Sequence, residues 1–481
     1  MRLPCALLPS RVRTLTRVLA YLALSACNLD NLGDPPPEAD IILPTGLALS
    51  PQPDPSSKPR FLYVINSNFD LRYNRGSLQA FDLDVLNARV DSCARDDGSA
   101  CEIPTSWVDP DSNRPVLTDE VLVPALTTSF SISPDASRFY LATRTDPGLF
   151  YVKLNESAEN PEGVLDCGDT ASERRCTEAF QRGVDAADNV RGQTMPAEPV
   201  DIVSFPAWQA EPGLDAESTP GDFIAVAHRT GKISLFHDPK NAAPTLVHVL
   251  DNLLLEPTGI AFEPSSHLLY LSMFARNNLV TLPRQLARAG IAVETAESST
   301  TNFEPSFAYD AGAVVVRGVA SQRDTRALVT NPARPGELLV ASRDPAALLF
   351  VDAQRADMPS DSAELTSLGT RDIVSVGAGP LRMALGKIGA RDVVAVTCFD
   401  SRQLYMIDAA TAEVLTVIHN LNGPFELAID SGRQRLYLAD FRASTIQIVD
   451  LKGIAEEGTG ARTDAPIVAR LGIPKVVQEL Q

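Results

Sequence analysis

The sequence predicts an all-β fold: a seven-bladed β-propeller of four-stranded antiparallel blades, after a signal peptide and a short tether. A phrase of three short strand-forming runs, bounded by Gly, Pro, Asp and Ser, occurs seven times. A fourth run follows several of these phrases, and four short strands per unit are typical of propellers. The 36 Pro and 28 Gly among 481 residues agree, because they indicate many turns and few long helices.

The stretch 423–451 shows the repeat in its most compact form, with two tight turns between three runs. Runs that are apolar throughout, such as FIAVA and VVAVT, indicate strands covered on both faces, as they are between neighbouring blades. The phrases lie at 44–83, 129–154, 199–237, 257–283, 325–353, 380–409 and 423–451, and the fourth runs at 116–123, 313–319, 372–376, 413–419 and 466–472.

Four long insertions lengthen the repeats. Each follows a third strand, and together they lie near 85–115, 155–198, 284–312 and 355–370. In a four-stranded antiparallel blade the first–second and third–fourth loops emerge at the same end, so one face of the disc is expected to carry this elaboration. Loops on a rigid scaffold often hold function, although neutral drift in tolerant loops explains such insertions equally well. Residues 40–43 are a candidate extra strand that would latch the ring.

The first 26 residues have the pattern of an export signal, with a basic segment and the short apolar run 18–24. That run is far below the ~20 residues needed to span a bilayer. The sequence Leu24-Ser25-Ala26-Cys27 resembles a bacterial lipobox. The resemblance implies cleavage before Cys27 and acylation there, hence a lipid-anchored envelope protein. The alternative is an ordinary cleaved signal.

The mature chain is then divided into a flexible Pro-rich tether at 27–42 and the propeller at 43–474. Asn28 follows the lipid site in place of the Asp that retains many lipoproteins in the inner membrane. This favours the outer membrane.

Cysteine spacing agrees with export. Cys93 and Cys101 lie eight positions apart in a polar segment, and Cys167 and Cys176 lie nine apart in another. Two close pairs in an exported protein are interpreted as local disulfides, each closing an insertion. Metal binding is the rival interpretation, but no His is near either pair and the CxxC spacing of zinc sites is absent. Cys398, in an apolar run, is interpreted as a small buried residue.

The second strands carry a family resemblance. Residues 63–66, YVIN, are close to the signature of bacterial YVTN-type (YncE-like) propeller repeats, and YLAT (140–143), YLSM (270–273) and YLAD (437–440) are looser versions. The resemblance covers roughly residues 43–472 and implies the architecture. It implies no single activity, because this fold carries many functions.

Candidate site residues follow from the register of the first strands. Ligands of propellers bind at the mouth of the central channel, beside the start of each first strand. Polar residues just inside these strands are therefore expected to line the channel: Asp201, Arg326, Arg382 and Glu426. Simple solvation of the channel is the alternative role.

The functional prediction is a binding or scaffold protein, a monomer held at the membrane by its lipid, with an envelope protein, peptide or glycan as partner. The net charge of -19 argues against nucleic acid as a partner. The chain has no HExxH, GxSxG, P-loop or GxGxxG motif, so no catalytic residue, metal ligand or cofactor is assigned. The alternative is a metal-dependent hydrolase, since similar propellers of the lactonase type hold a metal at the channel with side chains from different blades.

Overall fold

A computed structural model describes most of the chain from residue 33 onward. The predicted signal peptide, Cys27 and Asn28 lie outside the described residues, as does most of 284–312 and 355–370. The described ranges are 33–51, 58–93, 100–146, 148–155, 163–168, 174–189, 192–206, 221–250, 256–264, 268–274, 278–282, 286–288, 291–293, 302–304, 307–309, 315–318, 323–352, 369–456 and 466–474.

The strands form successive antiparallel sheets, numbered here in chain order. Sheet 1 contains β1 (Pro44–Leu49), β2 (Phe61–Asn66), β3 (Gly76–Asp82) and β5 (Leu117–Val123), with helix α1 (Leu83–Ser92) and β4 (Cys101–Ile103) inserted before β5. Sheet 2 contains β6 (Thr127–Ile132), β7 (Arg138–Thr143) and β8 (Leu149–Leu154), edged by the two-residue strands β9 (Leu165–Asp166) and β10 (Gln181–Arg182). Sheet 3 contains β11 (Pro199–Pro206), β12 (Asp222–His228), β13 (Lys232–Asp238) and β14 (Thr245–Leu250).

The second half of the chain repeats this order. Sheet 4 contains β15 (Pro257–Glu263), β16 (Leu268–Met273), β17 (Asn278–Leu282) and β22 (Val315–Gly318). Before β22 come two ladders, formed by β18 (Leu286–Arg288), β19 (Ile291–Val293), β20 (Asn302–Glu304) and β21 (Phe307–Tyr309). Sheet 5 contains β23 (Arg323–Thr330), β24 (Glu337–Asp344), β25 (Ala346–Asp352) and β26 (Gly369–Ser375).

Sheet 6 contains β27 (Pro380–Ile388), β28 (Arg391–Cys398), β29 (Gln403–Asp408) and β30 (Val414–Ile418). Sheet 7 contains β31 (Pro424–Asp430), β32 (Arg435–Asp440), β33 (Thr445–Asp450) and β34 (Ile467–Leu471), with the short helix α2 (Lys452–Glu456) before its last strand. No helix within the described ranges is long and apolar enough to cross a membrane.

The architecture is a β-propeller of four-stranded antiparallel sheets, as predicted, but the number of complete blades differs. Within the described ranges six sheets have four full strands, whereas the prediction was seven. Sheet 2 is the exception, because among the described residues only two-residue strands pair with the outer edge of β8. The described parts of the insertion that follows β8 return to the sheet for two residues at a time and complete no fourth strand.

The sheets form a closed ring. The first strand of each sheet contacts the first strand of the next, and β31 contacts β1. Each hydrophobic cluster of the described residues lies between two neighbouring sheets, including one between sheets 7 and 1. The second strands are buried along their whole length in β2, β7 and β12, which explains their unbroken apolar runs.

Both predicted disulfides are present, and the described parts of their insertions join neighbouring sheets. The segment after Cys167 runs beside the outer strand of sheet 1, where the Leu122 amide donates to the Arg174 carbonyl at 2.6 Å. The buried Asp119 carboxylate also accepts from the Leu165 amide at 2.8 Å. The insertion of sheet 2 therefore holds sheets 1 and 2 together.

The ring is latched by β4 and not by residues 40–43, which form no strand. β4 pairs in parallel with β34 as a fifth strand of sheet 7. The Gly472 amide continues the ladder by donating to the Ile103 carbonyl at 2.9 Å. In α1, the Asn87 side chain donates to the hydroxyl of buried Tyr437 at 2.8 Å. The segment inserted between β3 and β5 thus closes the seam between sheets 7 and 1.

Removing the Cys93–Cys101 disulfide is expected to loosen this seam. Replacing both residues by Ser should lower the free energy of unfolding by ~2–3 kcal/mol from loop-closure entropy alone, because the bond closes a short loop. The matched comparison is Cys167→Ser with Cys176→Ser, whose sequence separation of 9 is close to the 8 of the first pair. Urea unfolding should show the larger loss for the Cys93–Cys101 variant, since it also frees β4. Equal losses would contradict the latch.

Candidate functional site

Each first strand begins with the same backbone device. A residue in the left-handed region lies directly before the strand or, at Asp324 of β23, at its second position, and a bulge-type shift of register follows within two or three residues. Bulges re-aim side chains and are frequent at functional sites. The left-handed residues are Leu43, Leu126, Glu198, Glu256, Asp324, Gly379 and Gly423, and the shifts lie between positions 44/46, 127/129, 199/201, 257/259, 325/327, 380/383 and 424/427.

A cavity of about 270 Å³ opens at this end of the channel and is called the channel mouth below. Its lining combines bulge residues with residues that directly follow second strands, and every sheet of the ring contributes. It consists of Phe69, Thr128, Arg144, Val200, Arg229, Glu256, Pro257, Thr258, Phe274, Arg326, Leu381, Arg382 and Phe425. Because third–fourth loops emerge at the other end of each sheet, β3, β8, β17 and β25 each lead into their long insertion from the face opposite the mouth.

Three of the four predicted site residues meet in the channel. Arg382 Nη1 lies 3.7 Å from Asp201 Oδ1, and Arg382 Nε lies 3.5 Å from Glu426 Oε2. Arg382 Nη2 also donates to the Thr128 carbonyl at 2.9 Å. One guanidinium from sheet 6 thereby connects sheets 2, 3 and 7 across the channel. These four residues are called the Arg382 cluster.

Burial changes the titration of both carboxyls in the cluster. It raises the pKa of Glu426 to about 7, although the Arg382 charge acts in the opposite direction. Burial also raises the pKa of Asp201, against the Arg382 charge and a hydrogen bond from the Ile260 amide at 3.0 Å. The cluster thus contains one guanidinium and two carboxyls whose pKa values are both raised.

Arg326 lines the same cavity but does not join the Arg382 cluster. Its Nε and Nη2 face both oxygens of Asp324, at 2.7 Å and 2.9 Å. Its guanidinium carbon also lies 4.8 Å from the centroid of the Phe274 ring. Arg326 is therefore neutralised locally and supports Phe274 at the rim.

Sequence analysis missed the most exposed part of the mouth. Arg144 and Arg229 each follow a second strand directly, and Phe274, Phe399 and Phe441 occupy the same position in later repeats. Aligning the repeats at YLATR, AVAHR, YLSMF, AVTCF and YLADF shows that this position carries Arg in two repeats and Phe in three. The register of the first strands does not predict these positions, because they lie directly after the second strands.

Arg144 is the least neutralised cation of the mouth. Among the residues that the structure describes, no carboxylate forms an ion pair or hydrogen bond with it. Burial lowers its pKa, and the nearby charges of Arg229 and Arg382 lower it further, against the opposing charge of Glu198. Glu198 itself lies 3.5 Å from Arg229. The guanidinium of Arg144 is therefore held among like charges.

Aromatic rings cover the side of the mouth formed by sheets 6, 7 and 1. Phe69 and Phe441 have ring centroids 5.8 Å apart, and Phe441 and Phe425 have centroids 5.5 Å apart. Phe399 contacts both Phe425 and Phe441. Phe69 is 49% exposed although it belongs to this cluster. The mouth thus has a basic side and an aromatic side.

Other candidate chemistry is accounted for by ordinary structural roles. Buried His228 bonds to the Ser234 hydroxyl at 2.8 Å, and its pKa is lowered by burial to about 4. Cys398 is buried, as predicted, and burial raises its thiol pKa to about 12. Within the described ranges, no group of three His, Cys, Asp or Glu side chains is arranged to hold a metal ion.

Comparisons with known proteins find weak structural likeness only. Hydrazine synthase of Kuenenia stuttgartiensis is 11% identical, over 85% of this chain and 96% of that chain, with a TM-score of 0.49. The Cps50 (Swd1) β-propeller domain of Myceliophteria thermophila is 10% identical, over 84% of this chain and 95% of that domain, with a TM-score of 0.48. No protein-family model and no curated protein sequence matches the chain. The propeller assignment rests on the sheet topology itself.

Proposed function

We propose that this protein is a non-enzymatic binding protein of the bacterial cell envelope, and that it holds its partner at the channel mouth. The observation that carries the proposal is the cavity at the mouth, where Arg144 lacks an ion-pair partner among the described residues and Phe69 and Phe274 are exposed. Exposed aromatic and Arg side chains on a rigid ring are the residue types that dominate recognition surfaces.

We also propose a seven-bladed ring and a membrane-anchored location for this chain. Sheet 2 is taken as the seventh blade of a YVTN-type ring, with its outer strand reduced. A lipid on Cys27 anchors the monomer, preferentially in the outer membrane, and the tether lifts the ring off the surface. Acylation at several positions of one residue supports stable anchoring, because one chain alone binds membranes weakly.

The partner is proposed to be a protein, peptide or glycan of the envelope. The described insertions favour the mouth over the elaborated face as its binding site, since α1, β4 and the Cys167–Cys176 segment are engaged in holding sheets together. In the alternative metal-dependent hydrolase, Asp201 and Glu426 would be ligands. Arg382 lies between these two carboxyls, so its positive charge is placed where a cation would bind.

A site-specific photocrosslinker tests the binding role in cells that carry the full chain. With p-benzoylphenylalanine at Phe274, we expect a discrete crosslink to one envelope partner, which purified proteins should reproduce. The matched control is the same group at Val414, since both residues are 38% exposed but Val414 lies on the outer strand β30. Cys27→Ser should release the protein from the membrane fraction. Equal crosslinking from both positions would refute the mouth as the site.

A further inference from the structure

The two sides of the channel mouth differ in chemistry. Arg144 and Arg229 lie on the side of sheets 2 and 3, where each follows a second strand. Phe69 and Phe425 lie on the side of sheets 1 and 7 and line the same cavity. A ligand that satisfies both sides needs an anionic group and an apolar group a short distance apart.

The anionic group is best matched by a carboxylate at Arg144. Its guanidinium has no ion pair with a described carboxylate, and its neighbours Arg229 and Arg382 repel it. Among the described residues, the Arg229 side chain forms an ion pair only with Glu198, at 3.5 Å, and both of these side chains are more than half exposed. Such an exposed pair contributes little, so Arg229 is available to a second carboxylate. A planar carboxylate suits the fork of donors on a guanidinium.

The apolar group of the ligand would rest on aromatic rings that are already held in place by packing. Phe69 is held edge-on against Phe441, which stacks on Phe425, so the exposed ring of Phe69 is fixed by packing. A rigid aromatic surface binds apolar side chains with little loss of conformational entropy. The cavity volume of about 270 Å³ is slightly below the ~300–1,000 Å³ of pockets that enclose whole small molecules. It suits side chains of a segment that continues outside the cavity.

We propose that the mouth binds a peptide segment in which an acidic side chain neighbours an aromatic or aliphatic one, with the carboxylate at Arg144 and Arg229 and the apolar side chain on Phe69 and Phe425. This inference rests on the proposed function and specifies its partner. The ring supplies the two halves of the site from adjacent pairs of sheets, 7 and 1 on one side and 2 and 3 on the other, so the spacing between them selects the ligand.

Calorimetric titration of the detergent-solubilised full chain tests the inference. The probes are terminally blocked peptides of sequence Gly-Asp-Phe-Gly, Gly-Asn-Phe-Gly and Gly-Asp-Ala-Gly, and free 3-phenylpropionate. We expect the first peptide to bind at least ~10-fold more tightly than the other two, because each lacks one of the two groups. We also expect it to bind more tightly than 3-phenylpropionate, which has no backbone.

Substitutions then assign the contact. Arg144→Gln should weaken binding of the Asp-Phe peptide by ~10-fold and leave the Asn-Phe peptide unchanged, as a double-mutant cycle requires. The matched control is Arg343→Gln, at the same repeat position but paired with Asp400 at 2.7 Å. This control should leave both affinities unchanged.

Three results would overturn the inference: equal affinity for the Asp and Asn peptides, equal effects of Arg144→Gln and Arg343→Gln, or no peptide binding at millimolar concentration. Tighter binding of 3-phenylpropionate would assign the site to small carboxylates instead. Failure of the two proposals is distinguishable. If position 274 crosslinks but the Asp and Asn peptides bind equally, the proposed function is retained and this ligand class is rejected. If the peptides bind with different affinities but no crosslink forms, the mouth binds such a peptide and the proposed envelope partner is rejected.

Discussion

Asp238→Ala is expected to lower the free energy of unfolding by ~3–5 kcal/mol, because it leaves a buried guanidinium without its counter-charge. Asp238 is fully buried at the end of β13, and its Oδ1 accepts from Arg138 Nη1 of sheet 2 at 2.6 Å. Its other oxygen accepts from the hydroxyl of buried Tyr140. The pair therefore joins sheets 2 and 3 inside the ring.

Urea or thermal unfolding of the purified protein measures this effect. Arg72→Ala is the control, because Arg72 lies 3.0 Å from Asp70 on the surface with 60% of its side chain exposed. Such exposed pairs contribute ~1 kcal/mol or less. Asp238→Asn should be less damaging than Asp238→Ala, since the amide oxygen still accepts a hydrogen bond. A loss for Asp238→Ala no larger than that of Arg72→Ala would contradict the assigned role.

The second large effect is expected from Arg382→Met, which removes the only counter-charge that the Arg382 cluster provides for Asp201 and Glu426. The loss should be ~3–5 kcal/mol at pH 8 and clearly smaller at pH 5. Glu426 has a folded-state pKa raised to about 7, above its ordinary value near 4.5. A raised folded pKa stabilises the folded state below the unfolded pKa, and this contribution is lost as the pH rises through about 7.

The raised pKa of Glu426 also makes the stability of the wild type depend on pH. Its free energy of unfolding should fall between pH 5 and 8 through this site, and Glu426→Gln should flatten that fall. In Arg382→Met the fall should be steeper, because both carboxyls must then ionise without a partner. Adding Asp201→Asn and Glu426→Gln to Arg382→Met should restore most of the stability at pH 8. An Arg382→Met loss that is identical at pH 5 and pH 8 would show that the carboxyls do not carry the effect.

Part of the candidate site was predictable because it follows a local pattern. Asp201, Arg382 and Glu426 were identified from their register in the first strands, and the structure brings them into contact. Arg326 was identified in the same way, but Asp324 two residues earlier binds it. Register predicts which end of the channel a side chain reaches. Register does not predict which residue the side chain pairs with, because several possible partners come from other parts of the chain.

The repeat, the apolar second strands and both disulfides are predictable from the sequence, since each depends on residues close together in the chain. The remaining features depend on contacts between distant segments. Within the described residues sheet 2 has no full outer strand, because the described part of its insertion binds the outer strand of sheet 1 instead. β4 crosses from sheet 1 to sheet 7, which latches the ring. The channel mouth exists only because ring closure brings Phe69, Arg144 and Phe425 to one cavity, and that distance is fixed by the packing of whole sheets.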